Sequence, residues 1–158
     1  MTAAIILVRL DSKRFPEKAL KKLGRIKLIE YPIRALLKGK VFQPIIATTS
    51  RKIDDPLADL AKKYNILIFR GELKNVSRRI INCLRLYNIA TFARINGDSP
   101  FVQTDLLQQG YDLYKKNNYD FVTNLCPRTF PYGMSVEIFN AKFYIKNMLG
   151  AANKFDQE

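Results

Sequence analysis

At 158 residues, 47% of them apolar and 26% charged, the chain can bury one sizeable core, and it has no apolar run of the ~18–20 residues that a membrane span needs. It contains no histidine, which excludes a histidine general base, a histidine-based triad and histidine metal sites; any chemistry falls to carboxylates, cations or a hard metal ion. A formal charge of +13 predicts a surface that attracts polyanions such as nucleotides, nucleic acid or acidic lipid.

The first residues, "MTAAIILVRL", have no basic region ahead of the apolar run and no cleavage site, so residues 3–8 read as a buried first strand of a cytoplasmic protein. Directly behind it, "RLDSKRFPEK" (9–18) gathers Arg9, Arg14 and Lys18 with Ser12 and Pro16. "KALKKLGRIK" then reads as a basic helix start, with apolar residues at helical spacing over 26–39. Short apolar runs at 44–49, 65–70 and 91–96 predict further buried parallel strands, and 54–65 and 75–88 predict amphipathic helices between them. Asp54 or Asp55 before Pro56 is a good helix cap, as is Thr104 or Asp105 before a helix over 104–118. A strand at 119–124, an alternating strand after the loop "PRTFPYGMSVEIF" (127–139) and a final helix complete the series. The βαβα alternation predicts one open α/β sheet with helices on both faces. Cys83 and Cys126, far apart and without metal-ligand spacing, fit small core residues with reduced thiols.

In such sheets ligands collect where the loops leave the carboxyl ends of the strands. That rim would carry the 9–18 loop, Thr48 to Ser50, and "NGDSP" (96–100). No Walker-type loop or dinucleotide glycine fingerprint follows the first strand, so phosphates would have to be held by side-chain cations and backbone amides. Arg9, Arg14 and Lys18 suit that task, since guanidinium forks pair with phosphate oxygens and an ammonium acts as a mobile point charge. The same residues also fit a solvated basic turn. Asp98, just beyond a strand end, suits Mg²⁺ shared with substrate phosphates, and equally suits a turn or helix cap. Arg128 and Glu137, around Gly133, either contact a polyhydroxylated or anionic substrate or belong to an ordinary loop.

Together these segments resemble the sugar nucleotidylyltransferases of the cytidylyltransferase group, above all the family of spore-coat polysaccharide biosynthesis protein F, and more distantly the 3-deoxy-manno-octulosonate and acylneuraminate cytidylyltransferases. The most specific part is the signature Arg-x-x-Ser-x-Arg-x-Pro-x-Lys, matched by Arg9, Ser12, Arg14, Pro16 and Lys18. "ATTS" with "DDPLADLA", Arg70-Gly71, Arg79, "NGDSP" and the 127–139 stretch support it in order. The resemblance implies a Rossmann-like three-layer α/β/α fold with a mainly parallel sheet, of the nucleotide-diphospho-sugar transferase type. It implies transfer of CMP from CTP to a sugar, with release of pyrophosphate, in surface polysaccharide synthesis.

By that resemblance Arg9, Ser12, Arg14 and Lys18 hold the triphosphate, with Arg14 and Lys18 as the catalytic cations. Arg79 and the backbone at Leu7 and Val8 contact the nucleotide, Asp98 binds Mg²⁺, and Arg128, Gly133 and Glu137 face the sugar. Two positions depart from the pattern: Ser135 stands where an acidic residue is expected, and Tyr132 where relatives often have Asp. Members of the family are usually longer, and their C-terminal part supplies a second metal-binding Asp, further sugar contacts and often a dimer interface. The resemblance therefore implies that 1–158 is a single nucleotidyltransferase domain without that part. Its expected partners are CTP, a sugar and a second copy of the chain, with no membrane. Two alternatives stand beside this: a catalytically incompetent nucleotide-binding remnant, and a basic nucleic-acid-binding domain. The last is less favoured, because the cations lie on a loop and helix surfaces without a recognised motif or aromatic stacking platform.

Overall fold

A computed structural model describes residues 1–12 and 15–151, with the side chains of 150 and 151 excluded. The first strand, β1 (Thr2–Leu7), alternates sides by the ordinary strand period: Ala4 and Ile6 enter one core, Ala3 and Ile5 the other. A strand buried on both faces needs an unbroken apolar run, which is what "AAIILV" supplies. The same logic produces β4 (Gln43–Thr49) and β6 (Thr91–Asn96), which both pair with β1 in parallel, and β5 (Leu67–Gly71) joins β4 in parallel at the sheet edge.

The six-stranded sheet has the order β5-β4-β1-β6-β8-β7, where β7 is Phe121–Thr123 and β8 is Glu137–Asn140. β8 runs antiparallel to both β6 and β7, so the sheet is mainly parallel with an antiparallel edge. An aromatic ladder sets that register. Phe92 on β6, Phe139 on β8 and Phe121 on β7 lie directly opposite one another, with ring centroids 5.1 and 4.4 Å apart.

One face is covered by α1 (Glu30–Gly39), α2 (Asp55–Lys63) and α4 (Thr104–Asn117), through Ile33, Leu36, Leu57, Leu60 and Leu107. The other is covered by α3 (Val76–Leu86) and α5 (Ala141–Ala151), through Ile80, Ile81, Ala141 and Tyr144. This is the expected three-layer α/β/α arrangement. No helix of the described residues is long and apolar enough to cross a membrane.

Several sequence expectations need correction. The helix start expected at 18–27 is instead a short 3-10 turn (Lys18–Leu20) followed by a hairpin of β2 (Lys22–Leu23) and β3 (Ile26–Lys27). Gly24, at φ +64°, makes the turn, and α1 begins only at Glu30. Cys83 is buried as expected, but Cys126 is exposed. Neither Thr104 nor Asp105 caps α4, whose N-cap is Gln103. Residues 152–158 of the expected last helix lie outside the described residues.

Glu30 holds the hairpin against the helical layer. Its buried carboxylate accepts hydrogen bonds from the Lys27 backbone N–H at 2.8 Å, from Lys63 Nζ at 2.8 Å and from the Tyr64 hydroxyl. Burial by itself would raise this carboxyl, but the three donors outweigh it and bring it from 4.5 down to about 2. A depressed carboxylate contributes stability that is complete above its unfolded value and is lost as pH falls through the folded one. Glu30→Gln should therefore cost about 1–3 kcal/mol at neutral pH, the range for a hydrogen-bonded buried charge. In urea titrations, the gap between wild type and Glu30→Gln should close as pH falls from 4.5 toward 2. A gap independent of pH would show that the carboxylate charge is not what holds the hairpin.

Candidate nucleotide-binding cleft

The site lies where β1, β4 and β6 end together. β1 delivers Leu7, Val8 and Arg9 to the rim, and β6 delivers Asn96 to the adjacent position, because Leu7 and Asn96 are register partners. Gly97 then crosses close over β1: its N–H donates to the Leu7 carbonyl at 2.9 Å. A Cβ at Gly97 would lie 2.7 Å from Val8 Cβ and 3.2 Å from the Leu7 carbonyl oxygen. The glycine of "NGDSP" is thus required for close approach. Gly97→Ala should cost about 1–3 kcal/mol in overpacking. It should also weaken ligand binding at Asp98, as read by calorimetry beside thermal melts; unchanged stability and binding would refute the close-approach account.

Two open cavities flank the end of β1. The first, of about 330 Å³, is lined by Leu7, Val8, Arg9, Ser12, Lys18, Asn96 and Asp98. The second, of about 300 Å³, shares Leu7, Val8, Arg9 and Asn96 with it and adds Val76, Arg79 and Arg94. The four shared residues make them two lobes of one cleft. All the triphosphate and nucleotide contacts expected from the sequence fall in it except Arg14, which lies outside the described residues.

In the first lobe Lys18 Nζ sits 2.7 Å from Asp98 Oδ2, although the two are 80 residues apart in the chain. Both side chains are nearly half exposed, so the pair is worth only about 0–1 kcal/mol and opens readily. A triphosphate arriving here can draw the ammonium to its oxygens and leave the carboxylate free for a cation. Among the described residues no group of three or more metal-ligating side chains converges. A Mg²⁺ ion at Asp98 would therefore take its other oxygens from phosphates and water, which is its usual habit at nucleotides.

In the second lobe Arg79 is only 2% exposed, and its Nε has no hydrogen-bond partner among the described residues. Its Nη2 reaches the Leu73 carbonyl at 3.5 Å. Burial, and next the charge of Arg9, press its protonation constant below the ordinary guanidinium value. Gly71 makes room for it: a Cβ there would meet the Phe69 ring at 2.7 Å and Arg79 Cγ at 3.2 Å. A buried cation with an unused donor, beside a second cation at the wall of a cleft, has the character of a site built for an acceptor or an anion.

The loop expected to face the sugar is placed differently. Arg128, Gly133 and Glu137 line neither lobe. The Arg128 guanidinium stacks on the Tyr132 ring at 4.4 Å, and Gly133, at φ +92°, packs against Phe101, three residues beyond Asp98. Glu137 pairs with Arg94 at 3.1 Å across β6 and β8, so it touches the second lobe only through Arg94.

Sequence reasoning missed Asn96, Arg94, Asp11, Arg51 and the true part played by Asp54. Asp54 stands at the N-cap of α2 but makes no capping bond. Its fully buried carboxylate instead accepts the Leu10 N–H at 2.8 Å and the Thr49 hydroxyl. Asp11 accepts from Arg51 Nη1 at 2.6 Å, and that hydrogen bond holds its carboxyl below the ordinary value.

A mainly parallel α/β sheet with a cationic cleft at the strand ends is a site suited to an anionic ligand. The cytidylyltransferase family model matches residues 3–149, and the chain belongs to that family. It is 32% identical over 155 residues to an uncharacterized protein of Methanocaldococcus jannaschii, covering 98% of this chain and 63% of that protein. It is 28% identical over 150 residues to the spore coat polysaccharide biosynthesis protein SpsF of Bacillus subtilis, covering 89% and 60%. A cytidylyltransferase structure from Leptospira borgpetersenii superposes with a TM-score of 0.85 at 30% identity, over 92% of this chain and 62% of that one. A CMP:2-keto-3-deoxy-manno-octonic acid synthetase solved with CTP shares the fold, with a TM-score of 0.70 at 10% identity. The chain spans about three-fifths of the length of the curated relatives named here.

Proposed function

We propose that this chain binds CTP together with Mg²⁺ and acts as a cytidylyltransferase, moving CMP from CTP to a sugar in cytoplasmic polysaccharide precursor synthesis. The observation that carries the reading is the meeting of Lys18 and Asp98 beside Arg9 and Ser12 at the end of β1. Cation and carboxylate there are separately suited to phosphate and to a phosphate-bound metal.

In the proposed reaction a sugar hydroxyl oxygen bonds to the α-phosphorus, the bond from that phosphorus to the bridging oxygen breaks, and pyrophosphate departs with the electron pair. The hydroxyl proton passes to solvent. Such transfers depend mainly on positioning and on charge stabilisation. Arg9, Ser12 and Lys18 would hold the phosphates, Lys18 and Arg14 would offset the charge growing on pyrophosphate, and Asp98 would hold Mg²⁺. The ion when bound would neutralise phosphate oxygens. Arg79, with the backbone at Leu7 and Val8, would meet the nucleoside in the second lobe, and the loop carrying Arg128, Gly133 and Glu137 would face the sugar.

One observation favours a second reading. The residues expected at the sugar, Arg128, Gly133 and Glu137, line neither lobe, so a nucleotide binder without turnover fits the same cleft. Pyrophosphate release from CTP and Mg²⁺ with a panel of acidic and amino sugars separates the two. Release with any sugar supports the transferase, CTP binding without release supports the binder, and failure to bind any nucleoside triphosphate removes both.

A further inference from the structure

Resting on the nucleotide reading above, we infer that Asp54 is a positioning residue of the cleft: a buried carboxylate on a separate element that sets where the phosphate-binding loop begins and how Arg9 is aimed.

Leu10 is clamped at both of its backbone groups. Its N–H donates to Asp54 Oδ1 at 2.8 Å, and its carbonyl accepts from the Glu17 N–H at 2.8 Å. Its side chain is 1% exposed. The loop therefore leaves and re-enters at one fixed residue, with Arg9 and Ser12 near the outgoing side and Lys18 on the return. The Asp54 carboxylate is itself fixed from β4 by the Thr49 hydroxyl. The end of β4 is stiffened in turn by Arg70, which donates to the Thr49 carbonyl at 3.0 Å and the Arg51 carbonyl at 2.8 Å.

A second route runs through charge. Arg51 Nη2 lies 3.7 Å from Asp54 Oδ2, Arg51 Nη1 is 2.6 Å from Asp11 Oδ2, and Asp11 Oδ1 is 3.6 Å from Arg9 Nε. Asp54, Arg51, Asp11 and Arg9 thus alternate in sign from the core to the rim. Asp11 is shared between two guanidinium groups. When Arg9 turns to a phosphate, Asp11 keeps Arg51 and is not left as an uncompensated charge, so releasing Arg9 costs little. Capping, the role that the sequence suggests for Asp54, uses none of these contacts.

The test is CTP affinity by calorimetry on Asp54→Asn, Arg51→Met, Arg9→Ala and the double variants that pair each of the first two with Arg9→Ala, each checked for a cooperative melt. Asp54→Asn keeps an acceptor for Leu10 but removes the charge facing Arg51. It should weaken CTP about tenfold, the value of one charge-assisted contact. Arg51→Met, at a half-exposed position, leaves the buried carboxylate in place and should weaken CTP severalfold, with Arg51→Lys recovering part of the loss. Because both residues act through Arg9, adding either change to Arg9→Ala should weaken binding by clearly less than the product of the single effects. A purely structural role would give multiplicative losses and no recovery by lysine, and that result overturns the inference. Unchanged affinity in folded Asp54→Asn and Arg51→Met overturns it as well, while the nucleotide reading stands. Absence of CTP binding by the wild-type chain overturns the nucleotide reading, and the inference with it.

Discussion

Lys18→Met is expected to weaken CTP binding by about 10- to 150-fold, the equivalent of one charged hydrogen bond of about 1.5–3 kcal/mol to phosphate. The fold should survive unchanged. Lys18 is nearly half exposed, its hydrocarbon stem is matched by methionine, and the pair it makes with Asp98 contributes little to stability. In the unliganded chain the substitution leaves Asp98 without its partner, so the variant should also respond more strongly to added Mg²⁺. The measurement is calorimetric titration with CTP at several Mg²⁺ concentrations, beside a thermal melt. If affinity is lost only in step with stability, Lys18 holds the fold and does not hold phosphate.

Arg79→Met is expected to separate stability from binding in opposite directions. Arg79 is buried with an unused Nε, and burial together with Arg9 works against its charge. Replacing it with an apolar chain of similar length should stabilise the folded state, because it removes a buried charge without an ion-pair partner among the described residues at the cost of one long hydrogen bond to the Leu73 carbonyl. The same change should weaken CTP at least tenfold, because the second lobe loses its inward donor. A functional group retained at the expense of stability behaves this way. Chemical denaturation and calorimetry on one preparation check both halves. A variant that is destabilised and still binds CTP would place Arg79 in the scaffold.

How much of this was legible in the sequence depends on what each residue's position required. The parallel strands were visible because burial on both faces demands unbroken apolar runs, and the runs at 3–8, 44–49 and 91–96 contain or nearly coincide with β1, β4 and β6. The hairpin at 22–27 reads as helix because Ala19, Leu23 and Ile26 fall at i, i+4 and i+7; the turn residue Gly24 is the contrary signal. The depth of Arg79 was open to inference. On a helix, Val76, Arg79, Ile80 and Cys83 share a face, while Arg78 points away, and that face is the buried one.

Asp54 was hidden by a plausible local role. A carboxylate before proline at a helix start reads as a cap, and nothing local reveals that the Leu10 N–H, from the loop after β1, and the Thr49 hydroxyl, from the end of β4, both reach it. The meeting of Lys18 with Asp98 is likewise a product of topology, since β6 lies next to β1 only once the sheet is assembled. The βαβα alternation puts the 9–18 and 96–100 loops on one rim, but neither it nor the family signature pairs these two side chains.

The central claim is that the cleft at the end of β1 holds a nucleoside triphosphate through Lys18 and, with Mg²⁺, through Asp98. Calorimetric titration of CTP into the wild-type chain and into Asp98→Asn, with and without Mg²⁺, tests it most directly. The account predicts that Mg²⁺ strengthens CTP binding in the wild-type chain and that Asp98→Asn removes the strengthening while leaving metal-free binding in place. No CTP binding by the wild-type chain, or an equal Mg²⁺ effect in both proteins, would contradict it.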